Sequence, residues 1–489
     1  MSTLLRPPAL HGFLSLRLLG TATTRTLPVE QPATVTCRGH DPCDPSEAVL
    51  LTFEDPQAFK VKSAWELVRA LTVFRFCSYP VLVNNCGKLM SVARGLLGRR
   101  GFSLFVRPTV YAQFVAGETE GEISTSMEKM SSLGLRPMLA VPIEEDLGES
   151  TGFVDRERRY DDNLASMLEC VRISHSSAWS PDPMMQLKVK LTSLMKKEQY
   201  DLDLLVRAMS GEPISFPGLL ESENTHFLLG LRRLDQIAQA SIDKVRVLVD
   251  AEYTYMNPAL SLITMAMMKK FNQQSSWIWN TYQCYLKDSR SLLLEAIHLS
   301  EEHSFCLGVK LVRGAYMDKE RQLANKEGRM DPIHQSWEDT NDSYNGSLDV
   351  MLNRISQNPG RYQIIVATHN EESVRHAVTR LGALGLQRDE GSVCFGQLLG
   401  MCDHVSLTLA QQGFSVYKSV PYGSVDDTLP YLLRRAQENR TVLQGIRKER
   451  DLLRHELKRR IRERVSGGRW REREREGERE REERRERGG

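Results

Sequence analysis

At 489 residues, with 41% hydrophobic and 26% charged residues, the chain can bury a substantial core, which excludes a wholly disordered or fibrous protein. The formal net charge of +2 hides two biased ends: residues 1–29 hold three Arg and no acid, residues 469–487 hold nine Arg and eight Glu, and the rest holds 53 basic against 55 acidic residues. A near-neutral body argues against nucleic acid as the main partner, because phosphate binding needs a concentrated basic surface.

The first segment, residues 1–29, carries Arg6, Arg17 and Arg25 among Ser and Thr, the composition of a mitochondrial transit peptide. Arg17 interrupts the apolar stretch that a secretory signal would need. No window approaches the ~18 uncharged apolar residues of a membrane span, so any membrane association is expected to be peripheral. Nine scattered Cys without a CxxC pair read as reduced thiols, with neither a disulfide framework nor a zinc site.

Residues 44–135 predict a helical arm or cap: Ser63–Phe76 is apolar on one face, and Gly117–Leu133 carries helix formers before Gly134. Eight short apolar runs then alternate with helical stretches. The predicted strands are Arg136–Ile143, Gln186–Leu194, Lys244–Glu252, Trp277–Leu286, Cys306–Tyr316, Tyr362–Asn370, Val393–Leu399 and Phe414–Tyr422. Several are continuously apolar, as parallel strands buried on both faces must be, and eight strand-helix units can close into a barrel over about 136–461. An open doubly wound sheet is the alternative, but the chain has neither a GxGxxG turn nor a Walker loop. From Ser466 onward the sequence is nearly pure Arg/Glu alternation, as an AG repeat in DNA encodes. The 466–489 tail is therefore expected to lie outside the fold as a disordered extension.

Polar residues cluster at the C-terminal ends of the predicted strands, where barrel active sites are built. They are Lys190, Asp250, Gln283, Lys310 and Arg313, then Thr368-His369-Asn370, Gln397, and Lys418-Ser419. A single one reads as a salt-bridged strand end; recurrence in consecutive units reads as a site. After the last strand, Tyr431, Arg434, Arg435 and Glu438 share a helix face by spacing. This face is either a surface helix with an ordinary ion pair or a carboxylate clamp, since guanidinium forks bind carboxylates bidentately. His298, Glu301, Glu302 and His303 miss the HxxEH spacing of an inverted zincin by one residue, about 100° around a helix, so no metal site is expected.

Four segments, GVKLVRGAYMDKER, VATHNEESV, FGQLLGMCDH and YLLRRAQEN, resemble in order the FAD-dependent proline dehydrogenase family, and the similarity runs from about Phe53 to about Ile461. The resemblance implies a distorted (βα)8 TIM-like barrel of the α/β class, here with an N-terminal helical arm, that holds FAD noncovalently. It implies oxidation of a cyclic imino acid to a pyrroline carboxylate, with a membrane quinone as the usual electron acceptor, and hence peripheral association with the mitochondrial inner membrane on its matrix side. Carried over by residue, Lys190, Arg434 and Arg435 neutralise the substrate carboxylate, Tyr316 and Tyr431 wall the pocket, Asp250 lies beside the substrate nitrogen, and Glu149 matches an acidic gate residue. Gln283, Lys310, Arg313, Gly314, Ala315, Thr368, His369, Asn370 and Gln397 match flavin-contacting positions, with Lys310 standing where bacterial members carry Arg.

Ser419 is the most informative departure. Members selective for proline carry tyrosine at this position, whereas hydroxyproline dehydrogenases carry serine. The resemblance is thus closest to hydroxyproline dehydrogenases, with proline dehydrogenase proper as the alternative. From other classes, a catalytically silent barrel acting as a binding scaffold would lack flavin, and an RNA-binding or assembly module built from the arm and tail would depend on the tail.

Overall fold

The structure, a computed structural model, describes residues 11–17, 51–141, 153–176, 184–185, 188–192, 201–441 and 447–464. Glu149 and the 466–489 tail lie outside these residues, and of the leader only His11–Arg17 is described. In chain order the strands are β1 His11–Arg17, β2 Leu135–Ala140, β3 Met184–Met185, β4 Lys188–Thr192, β5 Arg246–Asp250, β6 Ile278–Gln283, β7 Leu307–Val312, β8 Tyr362–Ala367, β9 Val393–Leu398 and β10 Val416–Pro421.

Strands β5 to β10 pair in sequence order, all parallel, and β10 pairs parallel with β2. The ring closes through β3, which pairs with both β2 and β5. The expected α/β barrel is therefore present. Its second strand differs from expectation: the ladder position belongs to Met184–Met185, while Lys188–Thr192 pairs antiparallel with β1, which in turn pairs antiparallel with β5. The reason lies in the residues. KVKLT alternates Lys with apolar side chains, a pattern for a strand with one wet face, whereas a barrel strand is covered on both.

Between the strands run the helices Glu221–Ser241, Asn257–Phe271, Ser289–Glu302, Trp337–Gln357 and Glu371–Ala383. Local chemistry fixes their starts. Ser336 and Asp339 form a capping box, and the Asn370 side chain accepts from the Ser373 N–H to cap the helix that follows β8.

Inside the ring, Met138, Leu248, Trp279, Ile365, Cys394 and Tyr417 form one buried cluster drawn from six strands. This is the barrel floor. Trp279 fills it because β7 offers Gly308 opposite: a Cβ there would stand 2.5 Å from the indole.

By contact density the chain divides into two units. Among the described residues, one comprises those of Phe114–Met401 and Leu409–Tyr431 with His11–Arg17 and Leu51; the other comprises Thr52–Gln113, Cys402–Thr408 and residues 432–441 and 447–464. The first is the barrel. The second contains helices Ala64–Cys77, Pro80–Asn84 and Cys86–Val106, within the stretch expected as a helical arm, and the helix of residues 447–464. The last part of that arm, helix Glu120–Ser132, groups instead with the barrel ahead of β2.

The second unit is tied by buried charge. Glu449 accepts from the Cys402 and Asp403 N–H groups at 2.9 and 2.8 Å, and Lys62 pairs with Asp403. Arg460 donates to the carbonyls of Phe59 and Lys60.

Candidate active site

Side chains alternate along a strand, so two residues beyond the floor cluster comes the next inward layer. Its members among the described residues are Ala140, Asp250, Thr281, Lys310, Ala367, Gly396 and Ser419. Four of the seven are Ala, Gly or Ser, so this layer cannot close over the floor as the bulky floor residues close over one another. The two charged members meet: Lys310 Nζ donates to Asp250 Oδ1 at 2.6 Å across the intervening β6. Lys310 is only 6% exposed. A buried ammonium of this kind is tolerated because its carboxylate partner is in direct contact.

Thr281, between them on β6, donates its hydroxyl to the Val249 carbonyl at 2.6 Å. Ser419 is buried on β10, two residues beyond the floor residue Tyr417. Its neighbour Lys418 does structural work instead, donating to the carbonyls of Leu398 and Met401.

Towards the C-terminal ends the polar residues form a linked network. Gln283 Oε1 accepts from Asn257 Nδ2 at 2.8 Å, and Asn257 Oδ1 accepts from the Glu252 N–H. Glu252 Oε2 accepts from the Tyr316 hydroxyl at 2.9 Å, and the Tyr316 ring lies 4.4 Å from that of Tyr253. Below this loop, fully buried Glu320 accepts from the N–H and hydroxyl of Thr254, each at 2.7 Å. Burial, with the negative groups around it, pushes the Tyr255 phenol up to about 12.

Arg313 follows β7 on the outward parity. Its guanidinium donates to Ser373 Oγ and to Asn341, and lies 5.3 Å from the ring centres of both Trp337 and Tyr344. Burial pulls it below its ordinary range. Gly314 leaves room for Met317 and Tyr285, since a Cβ would stand 3.0 Å from the Met317 sulfur, and Ala315 completes the turn into helix Met317–Glu327.

After β8, Thr368 Oγ1 accepts from the Asn370 N–H, and the Thr368 carbonyl accepts from Gln397 Nε2 at 3.3 Å. His369 Nε2 accepts from the Leu398 N–H at 3.3 Å, a contact that assigns the ring proton of a neutral His369 to Nδ1.

The structure thus brings Asp250, Lys310 and Ser419 onto one inward layer of the barrel, and ranges Gln283, Arg313, Thr368, His369, Asn370 and Gln397 at the strand ends. Lys190 lies on β4, paired with Phe13 of β1 rather than in the barrel ladder; its side chain is outside the described residues. Tyr431 is a buried member of the barrel unit, whereas Arg434 and Arg435 belong to the second unit, all three on helix Val425–Thr441. The residues whose metal-binding reading failed on spacing have other partners: Glu301 accepts from Arg354 and Tyr362, and His303 faces Lys269. Glu252 is the site residue that sequence reading missed, although Asp250-Ala-Glu252 placed two acids on one strand face.

A family model described as proline dehydrogenase matches residues 143–448, more than half of the chain. Hydroxyproline dehydrogenase of Xenopus laevis is 55% identical over 87% of this chain and 94% of its own length, and that of Homo sapiens is 44% identical over 83% and 93%. Proline dehydrogenase 1, mitochondrial, of Drosophila melanogaster is 31% identical over 84% of this chain and 81% of its own. Among solved structures, proline utilization A of Bdellovibrio bacteriovorus inactivated by N-propargylglycine superposes with a TM-score of 0.54 at 17% identity, over 78% of this chain and 37% of that longer one, a likeness of fold. The near end-to-end similarity and the barrel with its inward ion pair converge on one conclusion: the chain belongs to the proline dehydrogenase family of oxidoreductases.

Proposed function

We propose that the chain oxidises trans-4-hydroxy-L-proline to 1-pyrroline-3-hydroxy-5-carboxylate in the mitochondrion, using FAD and passing the electrons to a membrane quinone. The observation that carries the reading is the small-residue layer above the barrel floor, walled on one side by the Lys310–Asp250 pair and containing Ser419. High identity to hydroxyproline dehydrogenases along nearly their whole length supports it.

The donor set fits a flavin, whose ring presents carbonyl acceptors and whose diphosphate is anionic. Lys310 and Arg313 supply cations; Gln283 and Gln397 supply amides; the loop of Thr368, His369 and Asn370 leads into a helix N-terminus. Bound by these residues, a flavin would supply a two-electron acceptor for hydride. Lys310 would hold positive charge where negative charge gathers during reduction, and Asp250 fixes its position.

The substrate gives up a C–H bond with its electron pair while the neighbouring nitrogen lone pair forms the C=N bond, so the nitrogen must first lose its proton. Asp250 already carries the Lys310 ammonium, and its charge is therefore not fully available to lock the substrate nitrogen in its cationic form. Turnover is expected to rise with pH until that nitrogen is deprotonated. Lys190, Arg434 and Arg435 are assigned to the substrate carboxylate by their match to the family and by the pairing chemistry of ammonium and guanidinium groups. Tyr316, oriented by Glu252, and Tyr431 are assigned to the pocket walls.

The deciding measurement is kcat/KM for hydroxyproline and for proline on purified protein, with the flavin absorbance followed during anaerobic reduction. A preference for hydroxyproline of about tenfold or more is expected. Preference for proline would replace this reading with proline dehydrogenase proper, and colourless, flavin-free protein would replace it with a silent scaffold.

A further inference from the structure

The second unit carries apolar surface that its own core does not use. Helix Ala64–Cys77 is apolar on two faces: Leu67, Ala70, Phe74 and Cys77 are buried, while Trp65, Val68 and Phe76 form a second stripe in solvent. Helix Cys86–Val106 repeats the pattern, with Leu89, Val92 and Leu96 exposed at i, i+3 and i+7. Gly98, at φ 66°, breaks this helix, and beyond the break Leu104 and Phe105 are again exposed. Leu96 is 82% and Leu104 79% exposed, values far from those of a core residue. Scattered apolar residues on a surface are ordinary; successive stripes along one arm are not.

Charge selects the occupant. Between Glu66 and Glu118 the sequence contains no Asp or Glu but seven Lys or Arg. Arg99 and Arg100 follow directly on the exposed Leu96-Leu97, and Lys88 adjoins Leu89. Among the described residues no helix is long and apolar enough to cross a bilayer. Nucleic acid would use the charge and leave Leu96 and Leu104 in water, whereas an anionic lipid surface takes both: leucines enter the acyl boundary and the basic heads stay among the phosphates.

We infer that the arm of residues 64–107 is a peripheral docking surface for an anionic lipid bilayer. This deepens the proposed transfer of electrons to a membrane quinone and rests on that reading for its purpose, but its test reads binding rather than turnover. A parent chain that oxidises its substrate but does not bind vesicles sinks the docking surface alone.

The flavin-loaded full chain is mixed with phosphatidylcholine vesicles, with or without phosphatidylglycerol, and floated on a density gradient. Expected is a preference for the anionic vesicles that weakens with added salt, at least about a tenfold loss of binding for Leu96→Glu combined with Leu104→Glu, and loss of the anionic preference for Arg99→Gln combined with Arg100→Gln. Met330→Glu, at an exposed apolar residue of the barrel unit, should bind as the parent does. Equal binding to both vesicle types, or unchanged binding by both arm variants, overturns the proposal. So does concentration-dependent self-association without lipid that the Leu96/Leu104 variant abolishes, since the face then serves a second copy of the chain. Should that variant melt early, the arginine variant decides alone.

Discussion

Ser419 stands where the bulk of one side chain sets the room beside a bound ring. It is buried on the inward layer with Ala367 and Gly396, so a tyrosine introduced there would project into the space that these small residues leave. Ser419→Tyr is expected to lower kcat/KM for hydroxyproline about tenfold or more while sparing proline, a change in the ratio that steady-state kinetics on both substrates reads directly. Equal loss on both substrates, with melting unchanged, would mean that position 419 does not set selectivity. Asp250 and Lys310 were legible because a charged residue in an otherwise apolar strand must be partnered, and the structure supplies each as the other's partner. Glu252 was not legible in the same way. It lies past the last residue of β5, where strict alternation ends, and only its contact with Tyr316 gives it a role.

At the scale of elements, the tie between Lys62 and helix Asp403–Gln411 has a definite pH signature. Burial alone would depress the Lys62 ammonium, but the charge and hydrogen bond of Asp403, with Glu449 and Glu66 behind it, together outweigh burial and hold it above its ordinary 10.5. The folded form then binds this proton more tightly than the unfolded chain does. Its contribution to stability is fully present below the unfolded value and is lost as pH rises through the folded one. Urea midpoints taken on either side of about pH 10.5 should therefore fall on the alkaline side, and Lys62→Met should be less stable at neutral pH with a flatter alkaline slope. An unchanged slope in Lys62→Met would remove the pair from the account. Here sequence reading had no purchase, because the partners are 341 positions apart and each looks like an ordinary surface charge.

For the whole molecule, the order of strands and helices was readable because continuous apolar runs alternating with amphipathic segments leave few architectures. Seven of the barrel strands fall inside or within one residue of the stretches predicted for them. The eighth was misplaced for a physical reason: two methionines carry no alternation to read, and the neighbouring KVKLT carries a persuasive one that belongs to a different pairing. The match between Trp279 and Gly308 was also invisible, since it depends on side chains from adjacent strands meeting inside the ring.

The closure through Met184–Met185 has a mechanical consequence. Strands β7 and β8 share six paired positions, whereas β3 contributes one to β2 and two to β5. A cylinder assembled from such unequal staves has a preferred line of splitting, and thermal fluctuations should part it there first. Amide hydrogens facing β3 are expected to exchange with deuterium well before those between β7 and β8, and mass spectrometry of peptic fragments would resolve the two. Equal protection on both sides would mean that the short clasp is as strong as the long seams. If the clasp yields as its length suggests, a small molecule reaching the barrel interior has a second route besides the mouth: a lateral slit beside β3.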